Sequence, residues 1–158
     1  MSWERGRADI ERLIADGELE RVTPSDEVAR RLLADAEAHI GLASKGVEDD
    51  PAGALQLSYD AARKASAGLL AVQGFRATTR GGHIAVIDAV RAQFNDRGGM
   101  DVFGRLHPLR RRRNRTEYPD LDSPGVNEDD ARQALDTASA VVDAAKRLTA
   151  SGRLDPFD

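Results

Sequence analysis

The stretch DPAGALQLSYDAARKASAGLLAVQG, residues 50–74, decides the fold. Asp50 before Pro51 is a helix start, because the fixed φ and missing N–H of proline suit a first helical position. Gly74 is a stop, since glycine enters the left-handed conformation that ends many helices without strain. Between them Leu55, Tyr59, Ala62, Ser66 and Leu69, then Val72 or Gln73, recur at steps of three or four. Alanine, the strongest helix former, fills much of the remainder. The spacing predicts one long helix over residues 50–73 with a packing stripe. Its alanines, with Gly53 and Gly68, predict that another backbone lies close against it.

The same signals recur on both sides. Upstream, Thr23-Pro24-Ser25-Asp26-Glu27 opens a helix that Gly46 stops. Before it a short helix is expected over residues 3–16, with Ile10, Leu13 and Ile14 as its stripe, Trp3 as its anchor and Gly17 as its end. Downstream, Ile84, Ile87 and Val90 mark a helix over residues 83–94, ended by a turn at 95–99. The segment 101–118 contains Pro108, which kinks it or marks where regular helix begins, and Pro119 with the loop 120–125 stops it. Asn127 caps the last helix, with Glu128, Asp129 and Asp130 at its positive end. Ala131, Leu135, Ala138, Val142, Ala145 and Leu148 form its stripe, Gly152 closes it, and residues 153–158 are expected to be a loose tail. Runs of strand type are missing. The expected fold is therefore all-α: an up-and-down antiparallel bundle of four core helices plus a short N-terminal helix. It forms one domain over residues 1–152, with its core at about 25–150.

Composition narrows the function. A chain of 158 residues can bury a core without staples, and with no cysteine it offers neither disulfides nor a thiolate metal site or nucleophile. No window approaches the roughly 18 apolar residues of a membrane span, and the charged start Met1-Ser2-Trp3-Glu4-Arg5 lacks the pattern of a signal peptide. A cytoplasmic protein without membrane contact is expected. The formal net charge of −4 disfavours nucleic-acid binding by overall charge. That average hides a local asymmetry: Arg110, Arg111, Arg112, Arg113 and Arg115 stand within six residues.

The arginine run belongs to LRRRRNRTEYP, residues 109–119. At about 100° per residue, Arg110, Arg113 and Glu117 share a helix face with Asn114 beside them, while Arg111, Arg112 and Arg115 point elsewhere. So many like charges need carboxylates, solvent or anions around them. One reading is a solvated face balanced by Glu117 and the acids 128–130. The other is a phosphate-binding surface, to which planar guanidinium groups with several donors are suited.

The segment Arg113-Asn114-Arg115-Thr116-Glu117-Tyr118 resembles the signature of the HEPN domain family, in which a late helix carries Arg, a polar residue, three more residues and then His. Tyr59-Asp60-Ala61-Ala62-Arg63-Lys64-Ala65 and the run from Leu69 to Arg76 resemble the long helix before that motif, and Gly82-His83-Ile84 resembles the start of the next. The resemblance spans residues 25–150. It implies a helical bundle that pairs through its motif face, usually as a homodimer. It also implies a place among metal-independent ribonucleases, often toxins encoded beside a minimal nucleotidyltransferase antitoxin. Carried over, Arg113 takes the arginine position, Asn114 the polar position and Tyr118 the histidine position. A tyrosine near its ordinary pKa of about 10 is a poor base at pH 7, where an imidazole serves well. Glu117 or His107, six residues before Arg113, is left as a substitute base.

Three functions follow as expectations. The first is a dimeric component of a toxin–antitoxin or defence-type system that binds RNA or a nucleotidyltransferase partner through a degenerate motif. The second is an active metal-independent endoribonuclease with a variant site of Arg113, Asn114, Glu117 and Tyr118, with His107 as a further candidate. The third is a structural adaptor whose arginines only pair with acids. RNA or anion binding is assigned to Arg110, Arg111, Arg112, Arg113 and Arg115. No cofactor or metal is expected: His39, His83 and His107 lack ligand spacing, and Gly81-Gly82 and Gly98-Gly99 lack the strand and spacing of a phosphate loop. Tyr59 reads as a half-buried core residue, His83 as a capping or packing residue, and Arg76 and Arg80 as solvated loop residues.

Overall fold

The computed structural model describes residues 5–95, 101–122 and 124–157. Among the described residues six α-helices, one 3-10 turn (Phe103–Arg105, before α5) and a two-stranded ribbon follow in the order α1 (Arg7–Ala15), β1 (Leu19–Arg21), α2 (Asp26–Gly46), α3 (Pro51–Gln73), β2 (Phe75–Ala77), α4 (Gly82–Phe94), α5 (Leu106–Glu117) and α6 (Glu128–Ala150). The fold is an all-α helical bundle. The expected caps set its boundaries. Asp50 accepts from the Gly53 N–H at 2.9 Å, Pro51 opens α3, and Gly74 closes it at φ 88°. Asn127 accepts from the Asp130 N–H at 2.8 Å, and Asp130 accepts in return from the Asn127 N–H at 3.1 Å. Two starts move. α2 begins at Asp26 because Ser25 caps it, accepting from Val28 N–H at 3.1 Å, and α1 begins at Arg7. The anchor role read for Trp3, and most of the turn at 95–99, fall outside the described residues. Pro108 stands third in α5, in the first turn, where a backbone N–H has no helical partner to lose; it marks the start of the helix.

Helix α3 is the hub, and small residues let its neighbours close on it. Ala61, Ala62 and Ala65 are fully buried, as are Ala36 and Ala43 of α2 and Ala138 of α6. At Gly68 a β-carbon would lie 3.5 Å from the Ala29 carbonyl oxygen, so α2 passes close to a glycine, as the composition predicts. The short α2–α3 connection makes an antiparallel pair. α6 also opposes α2: Ala131 packs with Ala43 and Val47, and Lys146 pairs with Glu37 at 2.8 Å. Relative to α3, however, α4 runs in the same sense. Tyr59 meets His83 at one end, and Gln73 meets Gln93 at the other, through mutual amide bonds of 2.7 and 3.2 Å. The ribbon between the two helices carries the chain back.

That ribbon was not legible in sequence. It pairs Leu19 with Ala77 and Arg21 with Phe75, three residues a side, too short to show a period. The loose tail expected at 153–158 is corrected: Leu154 and Phe157 are buried in the main core, and the Phe157 N–H donates to the Gln73 carbonyl at 2.9 Å. Behind the ribbon, Gly81 is wedged so tightly that a β-carbon would stand 2.1 Å from the Glu18 carbonyl oxygen and 2.7 Å from Ala85 Cβ. Gly81→Ala is therefore expected to destabilise by roughly 2–3 kcal/mol through forced separation of α4 from the ribbon. A urea melt reads this as a lower midpoint with an unchanged slope; an unmoved midpoint refutes it.

Candidate functional site

Helix α5 distributes its arginines in three directions. Leu106 and Leu109 are buried, and the face they begin continues through Arg113 and Glu117. This face looks at α3. The Arg113 guanidinium lies over the Tyr59 ring, 5.8 Å from its centroid, within cation–π range. It also donates to Asn114 Oδ1 at 3.3 Å and stands 3.9 Å from Glu117 Oε2. Arg112 turns to α6 instead, donating to Asp130 at 2.7 Å and Gln133 at 3.3 Å. Arg111 and Arg115 are exposed. Arg110 is half-buried, and its Nε is enclosed with no hydrogen-bond partner among the described residues.

Of the expected catalytic residues, the structure thus gathers Arg113, Asn114 and Glu117. Tyr118 stands apart as the cap residue after α5, 74% exposed, with only its N–H tied back to the Asn114 carbonyl at 2.9 Å. Pro119 explains this, because the residue before a proline is pushed out of helical geometry. His107 is also elsewhere. Six residues before Arg113 it lies about 120° around the helix, and its Nε2 is 2.8 Å from Asp88 Oδ1 on α4. This contact fastens the first turn of α5.

The residues that join Arg113 come from α3 and α4. Tyr59 is 2% exposed and its hydroxyl is 3.0 Å from His83 Nδ1, with the rings tilted at 5.7 Å. Burial pushes the Tyr59 phenol above its usual value, against the opposing charges of Arg63, Arg110 and Arg113. Burial also lowers His83, and Arg63, Arg113 and Arg110 lower it further. The pair is neutral at pH 7. Asp60, one residue on, accepts from Arg63 Nε at 3.1 Å and Nη2 at 2.5 Å. Burial alone would raise its carboxyl, but the Arg63 hydrogen bond and the charges of Arg63, Lys64 and His39 outweigh it and hold it below the usual range.

An open groove of about 630 Å³ is lined by Asp50, Gly53, Gln56, Leu57, Tyr59 and Asp60 from α3 and its cap and by Arg113 from α5. Both carboxylates in the groove are engaged, Asp60 by Arg63 and Asp50 by the α3 N-terminus. A smaller cavity of about 310 Å³ lies between Arg112, Arg115, Thr116 and Asp130. The sequence places His83 at a helix start, as found, and Tyr59 in the core as a half-buried residue, whereas it is fully buried. The sequence misses their pairing, which joins residues 24 apart on two helices and has no local signal. Among the described residues no three His, Asp or Glu side chains gather as a metal ion requires, and no helix is long and apolar enough to cross a membrane. Comparison with family models, curated proteins and solved structures finds no match. The arrangement defines an all-α bundle with a cationic site whose aromatic and imidazole groups are uncharged. Chemically it can hold an anion and donate hydrogen bonds to it.

Proposed function

We propose that this chain is a HEPN-like RNA-binding protein that acts as a homodimer, holding RNA phosphates at the Arg113 site. As the resemblance implies, it would serve a toxin–antitoxin or defence-type system, with a minimal nucleotidyltransferase as the second candidate partner. The observation that carries the reading is the Arg113 guanidinium seated on Tyr59 with Arg63 and Arg110 acting on the same ring. Three cations converge there, and the nearby acids, Asp60 and Glu117, are too few to balance them. Charge-assisted bonds to a phosphate would complete the set. Within the run, Arg110 and Arg113 form the site, Arg111 and Arg115 extend its field, and Arg112 holds α5 to α6.

The test is binding of labelled single-stranded RNA at fixed salt. Arg113→Ala is expected to weaken it about 10–100-fold, the worth of one or two charged hydrogen bonds, with helicity unchanged. A full-strength complex in that variant refutes the site.

A second reading, metal-independent RNA cleavage, is favoured by one observation. His83 brings an imidazole to the arginines, where the motif itself has only the outlying Tyr118. Cleavage of an RNA pool in excess chelator by the wild type, lost in Arg113→Ala, decides for it; if neither protein cuts, binding stands.

A further inference from the structure

We propose that His83 is a proton-coupled ligand of this site: neutral while the site is empty, it takes up a proton when a phosphate-type anion settles among Arg63, Arg110 and Arg113. The inference rests on the phosphate-site reading and adds its regulation by pH. Three observations carry it. Tyr59 ties the parts together, its ring under Arg113 and its hydroxyl 3.0 Å from His83 Nδ1. His83 is the second residue of α4; just ahead of it Thr78 takes the Gly81 N–H on its hydroxyl at 3.1 Å and the Gly82 N–H on its carbonyl at 2.9 Å, so what the helix end offers an anion is the remainder of its first turn. Helix ends of this kind attract anions and disfavour a cationic imidazole. Finally, Arg110 brings a half-buried guanidinium whose Nε lacks a partner among the described residues.

The charged groups facing His83 are Arg63 and Asp60 from α3 and Arg110 and Arg113 from α5, so three cations oppose one carboxylate. Burial and this surplus lower the imidazole in the empty protein. An anion in the same space offsets that surplus, a phosphodiester by one charge and sulfate by two, and so raises the imidazole. The proton balance is simple: the empty site and the anion become the filled site by gaining one H⁺ from solvent at the imidazole. The Tyr59 proton stays with the Tyr59–His83 pair. Linkage then fixes the direction. Between the lower pKa of the empty site and the higher pKa of the filled one, affinity rises as pH falls, by at most about tenfold per pH unit for one proton.

The probe is sulfate, whose charge does not change between pH 5 and 8, alongside a single-stranded RNA oligonucleotide. Histidine ring NMR follows His83, His39 and His107 separately, assigned with His83→Gln. We expect saturating sulfate to move the His83 titration upward and leave His39 and His107 in place. RNA and sulfate should both bind at least threefold more tightly at pH 5.5 than at pH 7.5, and His83→Gln should flatten that dependence. If both probes bind while the His83 titration stays fixed, the inference is overturned and the phosphate site survives. If neither binds at any pH, the site reading itself falls, and the inference with it. The wild-type titration needs no variant, so a misfolded His83→Gln protein cannot obscure the result.

Discussion

A chain stopped after Arg153 is expected to melt about 2–8 °C below the full chain. The five residues removed include Leu154 and Phe157, each 9% exposed within the main core. Phe157 packs tilted against Phe75, ring centroids 5.0 Å apart, and the Arg7 and Arg21 guanidiniums lie 4.9 and 4.5 Å from its ring centroid. Its N–H and carbonyl are held as well, by Gln73 and Arg21 at 2.9 and 3.4 Å. Loss of one buried aromatic costs about 3–5 kcal/mol and of a leucine about 2–5. Ordering the five residues costs about 1–2 kcal/mol each, which offsets most of this. A net loss of about 1–2 kcal/mol is expected to remain. At this chain length each kcal/mol moves the melting temperature by about 2–4 °C. Circular dichroism on heating measures it. A truncated chain that melts with the full one would show that the tail merely rests on the core.

The tail also shows where sequence reading stops. Leu154 and Phe157 stand among Arg153, Asp155 and Pro156 with no period to announce burial. Their partners, Phe75 and Gln73, lie far back in the chain, so nothing local marks them. The long helices differ because their evidence is local: Asp50-Pro51, Gly74 and Asn127 each set a boundary through their own backbone chemistry. The ribbon falls on the unreadable side. Its three residues a side are held by tertiary packing: Leu19 and Phe75 are buried, and Glu20 comes opposite Arg76, whose Nε donates to it at 2.8 Å.

The site divides along the same line. The arginine run is plain in the sequence, and helical spacing alone puts Arg110, Arg113 and Glu117 on one face. Which face meets α3 is a tertiary fact. It makes Arg112 a tie to Asp130 and Arg113 the lid of Tyr59. The motif comparison extends a helix through Tyr118, whereas Pro119 ends it one residue early and leaves that side chain outside. The groups found near Arg113 instead, Tyr59 and His83, are 24 residues apart and join because α3 and α4 run in the same sense.

Tyr59 therefore belongs to the core and the site together, and two substitutions should separate its parts. Tyr59→Ala removes a fully buried ring against Arg113 and His83, and about 3–5 kcal/mol is expected to go with it, a fall of roughly 10–15 °C in melting temperature. RNA binding should fall too, since Arg113 loses its seat and His83 its anchor. Tyr59→Phe keeps the ring and deletes only the hydroxyl, so about 1 kcal/mol is expected, the usual net worth of one buried hydrogen bond. RNA affinity should then stay within a few-fold of wild type, because the cation still has its aromatic face. Thermal melts and RNA titrations on the three proteins decide. An alanine variant as stable as wild type would remove Tyr59 from the core. A phenylalanine variant as weak in binding as the alanine one would place the function in the hydroxyl and its His83 bond, and the guanidinium seat would then be secondary.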